Sequence, residues 1–224
     1  MQPLSRRWKL FAIFLIMGLV ASAVVMFSLA EFHEEIGEPF LFQLDRQVQT
    51  AVHAHATPWL TRIMFASSWI GSPAELFPAI PVIAGLMWWR RLRDEAVVLM
   101  VAMVGGGLLE AALKLHFRRV RPDVPWAFVH EHSYSFPSGH SVLAVALYGT
   151  AVYLAMRHLR GTRARVVLCL AASLLIVGIG LSRIYLGVHY PSDVAAGYLV
   201  GAIWLSGVMA SDWYARQSEE MPGD

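Results

Sequence analysis

The chain has 224 residues, of which 57% are hydrophobic and 15% charged, and a mean hydropathy of +0.52. That balance leaves too little polar surface for a water-soluble domain of this length and points to a membrane protein. A formal charge of +2, dispersed along the chain, argues against a nucleic-acid partner, and a single cysteine, Cys169, excludes an internal disulfide.

Six apolar stretches follow in chain order, at residues 10–30, 74–89, 95–113, 142–156, 166–181 and 194–209. With ragged ends they approach the roughly 20 residues that carry a helix across a bilayer. The expected fold is therefore all-α: an integral-membrane bundle of six transmembrane helices. Arg6, Arg7, Trp8 and Lys9 precede the first stretch, and Ala21-Ser22-Ala23 mimics a signal-peptide cleavage site. The apolar run is too long for a cleaved leader and reads as an uncleaved first span. The second stretch is blurred by Pro73, Pro78 and Pro81 and by the apolar residues 59–70 before it.

Between these two spans, Leu41, Leu44, Val48 and Val52 recur at helical spacing, with Asp45, Arg46, Gln47 and Gln49 among them. An amphipathic helix follows, either lying in the membrane interface or packed as a lid on the bundle. No repeat, linker or low-complexity tract divides the chain, so residues 1–224 read as one domain.

Basic residues fix an orientation. Arg6, Arg7, Lys9, Arg90, Arg91, Arg93, Arg157, Arg160, Arg163, Arg165 and Arg216 cluster in alternate connections, whose ends face the cytoplasm by the positive-inside rule. Both termini are then cytoplasmic. Segments 31–72, 116–136 and 185–190 lie on the outer face, and Trp8, Trp88, Trp89, Trp213 and Tyr214 sit near span ends as interfacial anchors.

The chemistry-bearing residues fall on that outer face. Lys114 closes the third span, and Arg121 follows with Pro122. The lysine offers a point charge, the arginine a planar fork for two phosphate oxygens. Pro137-Ser138-Gly139-His140 opens the fourth span, where free N–H groups favour an anion. Ser182 and Arg183 end the fifth span. His189 and Asp193 are four residues apart, a spacing that lets the carboxylate orient one imidazole nitrogen and leave the other nucleophilic. Arg119 reads either as a phosphate contact or as a snorkel towards lipid headgroups. Glu110, one turn before Lys114, reads as its partner, and Gly105-Gly106-Gly107 as a site of close helix packing.

Together the three patches resemble the signature of the type 2 phosphatidic acid phosphatase (PAP2) superfamily, Lys-x6-Arg-Pro, Pro-Ser-Gly-His and Ser-Arg-x5-His-x3-Asp, at every position between Lys114 and Asp193. The resemblance implies a phosphatase without metal or other cofactor, in which His189 attacks phosphorus to give a phosphohistidine and Asp193 orients and charge-stabilises it. His140 would protonate the leaving oxygen and then activate water. Lys114, Arg121, Ser138, Gly139 and Arg183 would hold the phosphoryl oxygens.

The expected substrate is a lipid phosphate or pyrophosphate of the outer leaflet: undecaprenyl pyrophosphate, phosphatidylglycerophosphate or phosphatidic acid. The expected setting is a bacterial inner membrane, with no obligate protein partner. Two other readings compete: a lipid-phosphate binding or transport protein that keeps the pocket without turnover, and a vanadate-dependent haloperoxidase-like enzyme, which the apolar spans disfavour.

Overall fold

The computed structural model describes residues 38–220 and, before them, residues 12–13, 15–22, 24 and 28, which are helical. The first expected span and the basic residues that precede it therefore lie partly or wholly outside the described residues. Helices make up the architecture: α1 (Glu38–His53), α2 (Pro58–Ile70), α3 (Pro73–Trp89), α4 (Arg93–Phe117), α5 (Gly139–Met156), α6 (Thr162–Tyr185) and α7 (Pro191–Glu220). Among the described residues, four helices (α4 to α7) are long and apolar enough to cross a membrane by length and composition. The number becomes five if α2 and α3, bent by 44° at Gly71 and Ser72, make one span.

Local chemistry explains most boundaries. Thr57 caps α2 by accepting the Leu60 N–H at 3.2 Å, and Pro58 occupies the first turn, where a missing N–H costs nothing. Pro73 plays the same part in α3. Pro78 and Pro81, expected to interrupt the second span, instead sit inside one continuous helix, and the break falls upstream of Pro73. Apolar packing of Leu76 and Ile80 onto α4 and α5 carries the helix past the bonds these prolines remove. In α4, Asp94 and Glu95 lie in the first turn and Lys114 in the last, matching the helix dipole. A π-helical turn, Val145–Gly149, interrupts α5 midway.

Helices α4, α5 and α7 enclose a core of Val98, Ala102, Leu109, Val142, Val200 and Trp204, in which the Trp204 indole donates to the Ala102 carbonyl at 2.9 Å. The expectation for the glycine run holds. A Cβ on Gly105 would come within 2.1 Å of Trp204 Cζ2, and one on Gly107 within 2.7 Å of Phe77 Cζ, so bare backbone lets α4 approach α7 and α3. On the outside, Val82, Leu108, Val167 and Leu174 are exposed. Apolar side chains facing outward suit a lipid solvent, and the chain is a helical membrane protein.

The antiparallel run of α4 to α7 collects the connections 118–138 and 186–190 at one end. At the other end, Tyr153 donates to Asp212 at 2.6 Å, and Arg157 and Arg216 pair with the same carboxylate.

Candidate active site

All three motif patches meet at the first of these ends. Lys114 ends α4, Arg121 lies in the 118–138 connection, and Ser138 to His140 form the entry to α5. Arg183 ends α6, His189 lies in the 186–190 connection, and Asp193 opens α7.

His189 is 1% exposed. Its Nδ1 stands 3.4 Å from Asp193 Oδ2, which also accepts the Tyr190 N–H at 2.9 Å. Its Nε2 lies 3.1 Å from Arg121 Nη1. With the ring proton on Nδ1 facing the carboxylate, Nε2 carries the free lone pair and accepts from the guanidinium. Burial pushes the imidazole down to about 4, against the opposing pull of Asp193, so it is neutral at pH 7.

Arg121 and Arg183 converge on one acid that the motif reading did not single out, Glu131. Arg121 Nη2 is 2.6 Å from Glu131 Oε2, and Arg183 Nη2 bonds Glu131 Oε1. Burial works against ionisation of Glu131, yet the two guanidinia hold its carboxyl below the usual range, and Lys114 and His189 act in the same direction. Burial lowers the Arg121 guanidinium despite this partner. A carboxylate bridging two forks beside a neutral imidazole occupies the kind of position a phosphoryl group would take. Arg121 is further braced by donating to the carbonyls of Ser133 at 2.7 Å and Val188 at 2.8 Å, and Arg183 by donating to the Ser68 hydroxyl of α2.

Two donors at the site are buried without a hydrogen-bond partner, Ser138 Oγ and Arg183 Nε. An unpaired buried donor costs about 1–3 kcal/mol, a cost that an incoming oxyanion removes. The Ser138 N–H donates to the Asp193 carbonyl at 3.0 Å, tying the entry of α5 to the first turn of α7. Gly139 and Gly197 permit this. A Cβ on Gly139 would meet Glu110 Oε1 at 2.6 Å, and one on Gly197 would meet the Ser138 carbonyl at 2.7 Å. The expected Glu110–Lys114 pair is formed, at 2.7 Å, and sets the lysine beside this turn. His140 is buried in the first turn of α5, within electrostatic reach of Arg183, His189, Lys114 and Arg121.

Arg119 is held between two carboxylates. Its Nη1 binds Asp193 Oδ1 at 2.6 Å, its Nη2 binds Asp45 Oδ2 at 2.8 Å, and its guanidinium lies 4.2 Å over the Tyr190 ring. Burial opposes its charge, but the two carboxylates raise it above the ordinary arginine value. Asp45 also accepts the Ser192 N–H at 2.9 Å and the Ser192 hydroxyl at 2.5 Å. Gln49 reaches the His189 carbonyl at 3.4 Å.

Two polar side chains of α1 thus point inward at the site. Asp45 and Gln49 are 2% and 1% exposed, whereas Leu44 and Val48 are 44% and 38% exposed. Motif spacing carries no signal for Glu131. Nor does the periodicity of α1 single out Asp45, which is four residues from Leu41 and three from Val48 and so lies on the apolar side of the helix.

The chain is similar to known proteins. The model of the PAP2 superfamily matches residues 95–217. Phosphatidylglycerophosphatase B of Bacillus subtilis is 35% identical over 161 residues, covering 71% of this chain and 78% of that one. Lipid A 1-phosphatase of Rhizobium johnstonii is 31% identical over 147 residues, covering 55% of this chain and 53% of that one. The crystal structure of a transmembrane PAP2 type phosphatidylglycerolphosphate phosphatase from Bacillus subtilis aligns with a TM-score of 0.68 at 28% identity, covering 96% of each chain.

Proposed function

The chain belongs to the PAP2 superfamily and is a membrane phosphatase, and from that premise we propose that it hydrolyses a lipid phosphomonoester or pyrophosphate at the outer leaflet of a bacterial inner membrane through a phosphohistidine on His189. Six spans, both termini in the cytoplasm and a single domain complete the reading. Arginines outside the site, at the opposite end of the bundle, support that orientation.

In the proposed reaction, Arg121, Arg183 and Lys114 hold the phosphoryl oxygens, together with the Ser138 hydroxyl and the Gly139 N–H. These cations supply the charge neutralisation that phosphoryl transfer demands, so no metal is required. The lone pair of His189 Nε2 forms a bond to phosphorus as the bond to the lipid oxygen breaks, and His140 gives that oxygen its proton. Asp193 stabilises the cationic phosphoimidazole. Water then loses a proton to His140 and attacks phosphorus. The N–P bond breaks, releasing inorganic phosphate and restoring neutral His189.

One observation carries this reading. Two guanidinia share a single oxyanion, the Glu131 carboxylate, with His189 Nε2 3.1 Å from one of them. Undecaprenyl pyrophosphate, phosphatidylglycerophosphate and phosphatidic acid are the candidate substrates. Phosphatidylglycerophosphate stands first because a relative covering most of both chains is named for it.

The test is phosphate release by detergent-purified protein from each lipid and from a soluble monoester, compared as kcat/KM with and without EDTA. A lipid preferred by tenfold or more and unaffected by chelation is expected. Equal turnover of the soluble ester, or loss on chelation restored by magnesium, refutes the substrate class or the metal-free site respectively.

A further inference from the structure

We infer that Asp45 and Arg119 are positioning residues: α1 reaches across the site to set, through Arg119, the orientation and net charge of the carboxylate behind the nucleophilic histidine. This rests on the reading of His189 as nucleophile. It adds an element from outside the matched family region, because Asp45 lies before residue 95.

The observations form a chain of contacts. Asp193 Oδ2 faces His189 Nδ1, while its Oδ1 is held by Arg119 at 2.6 Å. A lone arginine on that carboxylate would cancel the negative charge that favours a cationic imidazole. Asp45 binds the same guanidinium at 2.8 Å from the other side, so two carboxylates and one guanidinium leave one net negative charge behind the ring. Asp45 also holds Ser192 by backbone and hydroxyl, and Gln49 holds the His189 carbonyl, so α1 braces the loop on both flanks of the pair. Burying Asp45 and Gln49 is costly unless they are hydrogen-bonded, and their partners here are the residues that flank the His189–Asp193 pair.

The other charged groups around His189 are Arg121 and Glu131 from the 118–138 connection, Arg183 from α6 and His140 from α5. All of them stay in place in the variants below.

Charge bookkeeping makes the test specific. Asp45→Asn leaves the group neutral, Arg119→Gln leaves it doubly negative, and the double variant restores one negative charge. At pH 7, Asp45→Asn is expected to lower kcat about tenfold with KM unchanged. Arg119→Gln is expected to move the acid limb of the kcat/KM profile upward by about one pH unit. The double variant should recover most of the lost kcat and return the limb to its parental position.

A helix that only braces the fold predicts the reverse order. Losing a second bond would then leave the double variant no better than Asp45→Asn, and Arg119→Gln would not raise the limb; either result overturns the inference. Thermal melting of each variant is measured alongside, and a variant that melts like the parent shows that its change in kcat or in the limb is not a loss of folding. His189→Ala is assayed alongside. Its inactivity with no recovery in the double variant removes only the role of α1, whereas full activity of His189→Ala removes the nucleophile itself.

Discussion

Replacing Asp193 by Asn keeps the shape of the side chain and removes its charge. The wild-type carboxylate is fully buried and lies 3.4 Å from His189 Nδ1. At an effective dielectric of about 20, its attraction for a cationic imidazole is worth about 5 kcal/mol. The amide oxygen can still accept the Tyr190 N–H that Asp193 accepts at 2.9 Å, and its dipole retains part of the attraction. A loss of about 4 kcal/mol at the step that makes His189 cationic lowers kcat about a thousandfold.

The phosphoryl contacts assigned to Arg121, Arg183 and Lys114 are untouched, so KM should stay within about threefold, the signature of an interaction made in the transition state. The assay is phosphate release from a short-chain lipid phosphate in detergent micelles, with thermal melting of each sample as the control. A variant that melts like the parent and keeps kcat within tenfold of it would show that Asp193 does not stabilise the nucleophile.

Two further expectations concern the same site. Only the neutral imidazole has a free lone pair, and His189 is depressed from 6.5 to about 4; the acid limb of kcat/KM set by the nucleophile should therefore lie near pH 4, not near 6.5, once the ionisation of the substrate phosphate is subtracted. The same depression makes the unfolded chain bind the proton first, so acidification from 6.5 towards 4 costs stability; a residual limb near 6.5 would contradict both statements. Glu131→Gln removes the internal oxyanion from Arg121 and Arg183, and should tighten competitive inhibition by inorganic phosphate or orthovanadate roughly tenfold. An unchanged or weaker inhibition constant would show that the carboxylate does not compete for the phosphate position.

Much of the site was legible in the chain because its residues are bound to the helix ends by short spacing. His189 and Asp193 are four apart across the start of α7, and Glu110 and Lys114 share one face of α4, so their pairing needs only helix geometry. The same holds for Pro137 to His140 at the entry of α5. Apolar runs likewise announced α4 to α7, since spanning lipid demands length and hydrophobicity whatever the packing. The limits of the second span were not legible. Pro78 and Pro81 lie within α3 because contacts with α4 and α5 outweigh the hydrogen bonds the prolines delete, and those contacts have no trace in local sequence.

By itself, then, the sequence determined the membrane class, the helical runs and the signature residues, properties set by composition and by separations of a few residues. Tertiary structure decided the contacts made at long separation. Glu131 bridges arginines ten residues before it and fifty-two after it, and Asp45 meets Arg119 and Ser192 from a helix far earlier in the chain. Asp45 and Gln49 turn inward because their buried polar groups find hydrogen-bond partners there, in Arg119, Ser192 and the His189 carbonyl, and a buried polar group without a partner is costly.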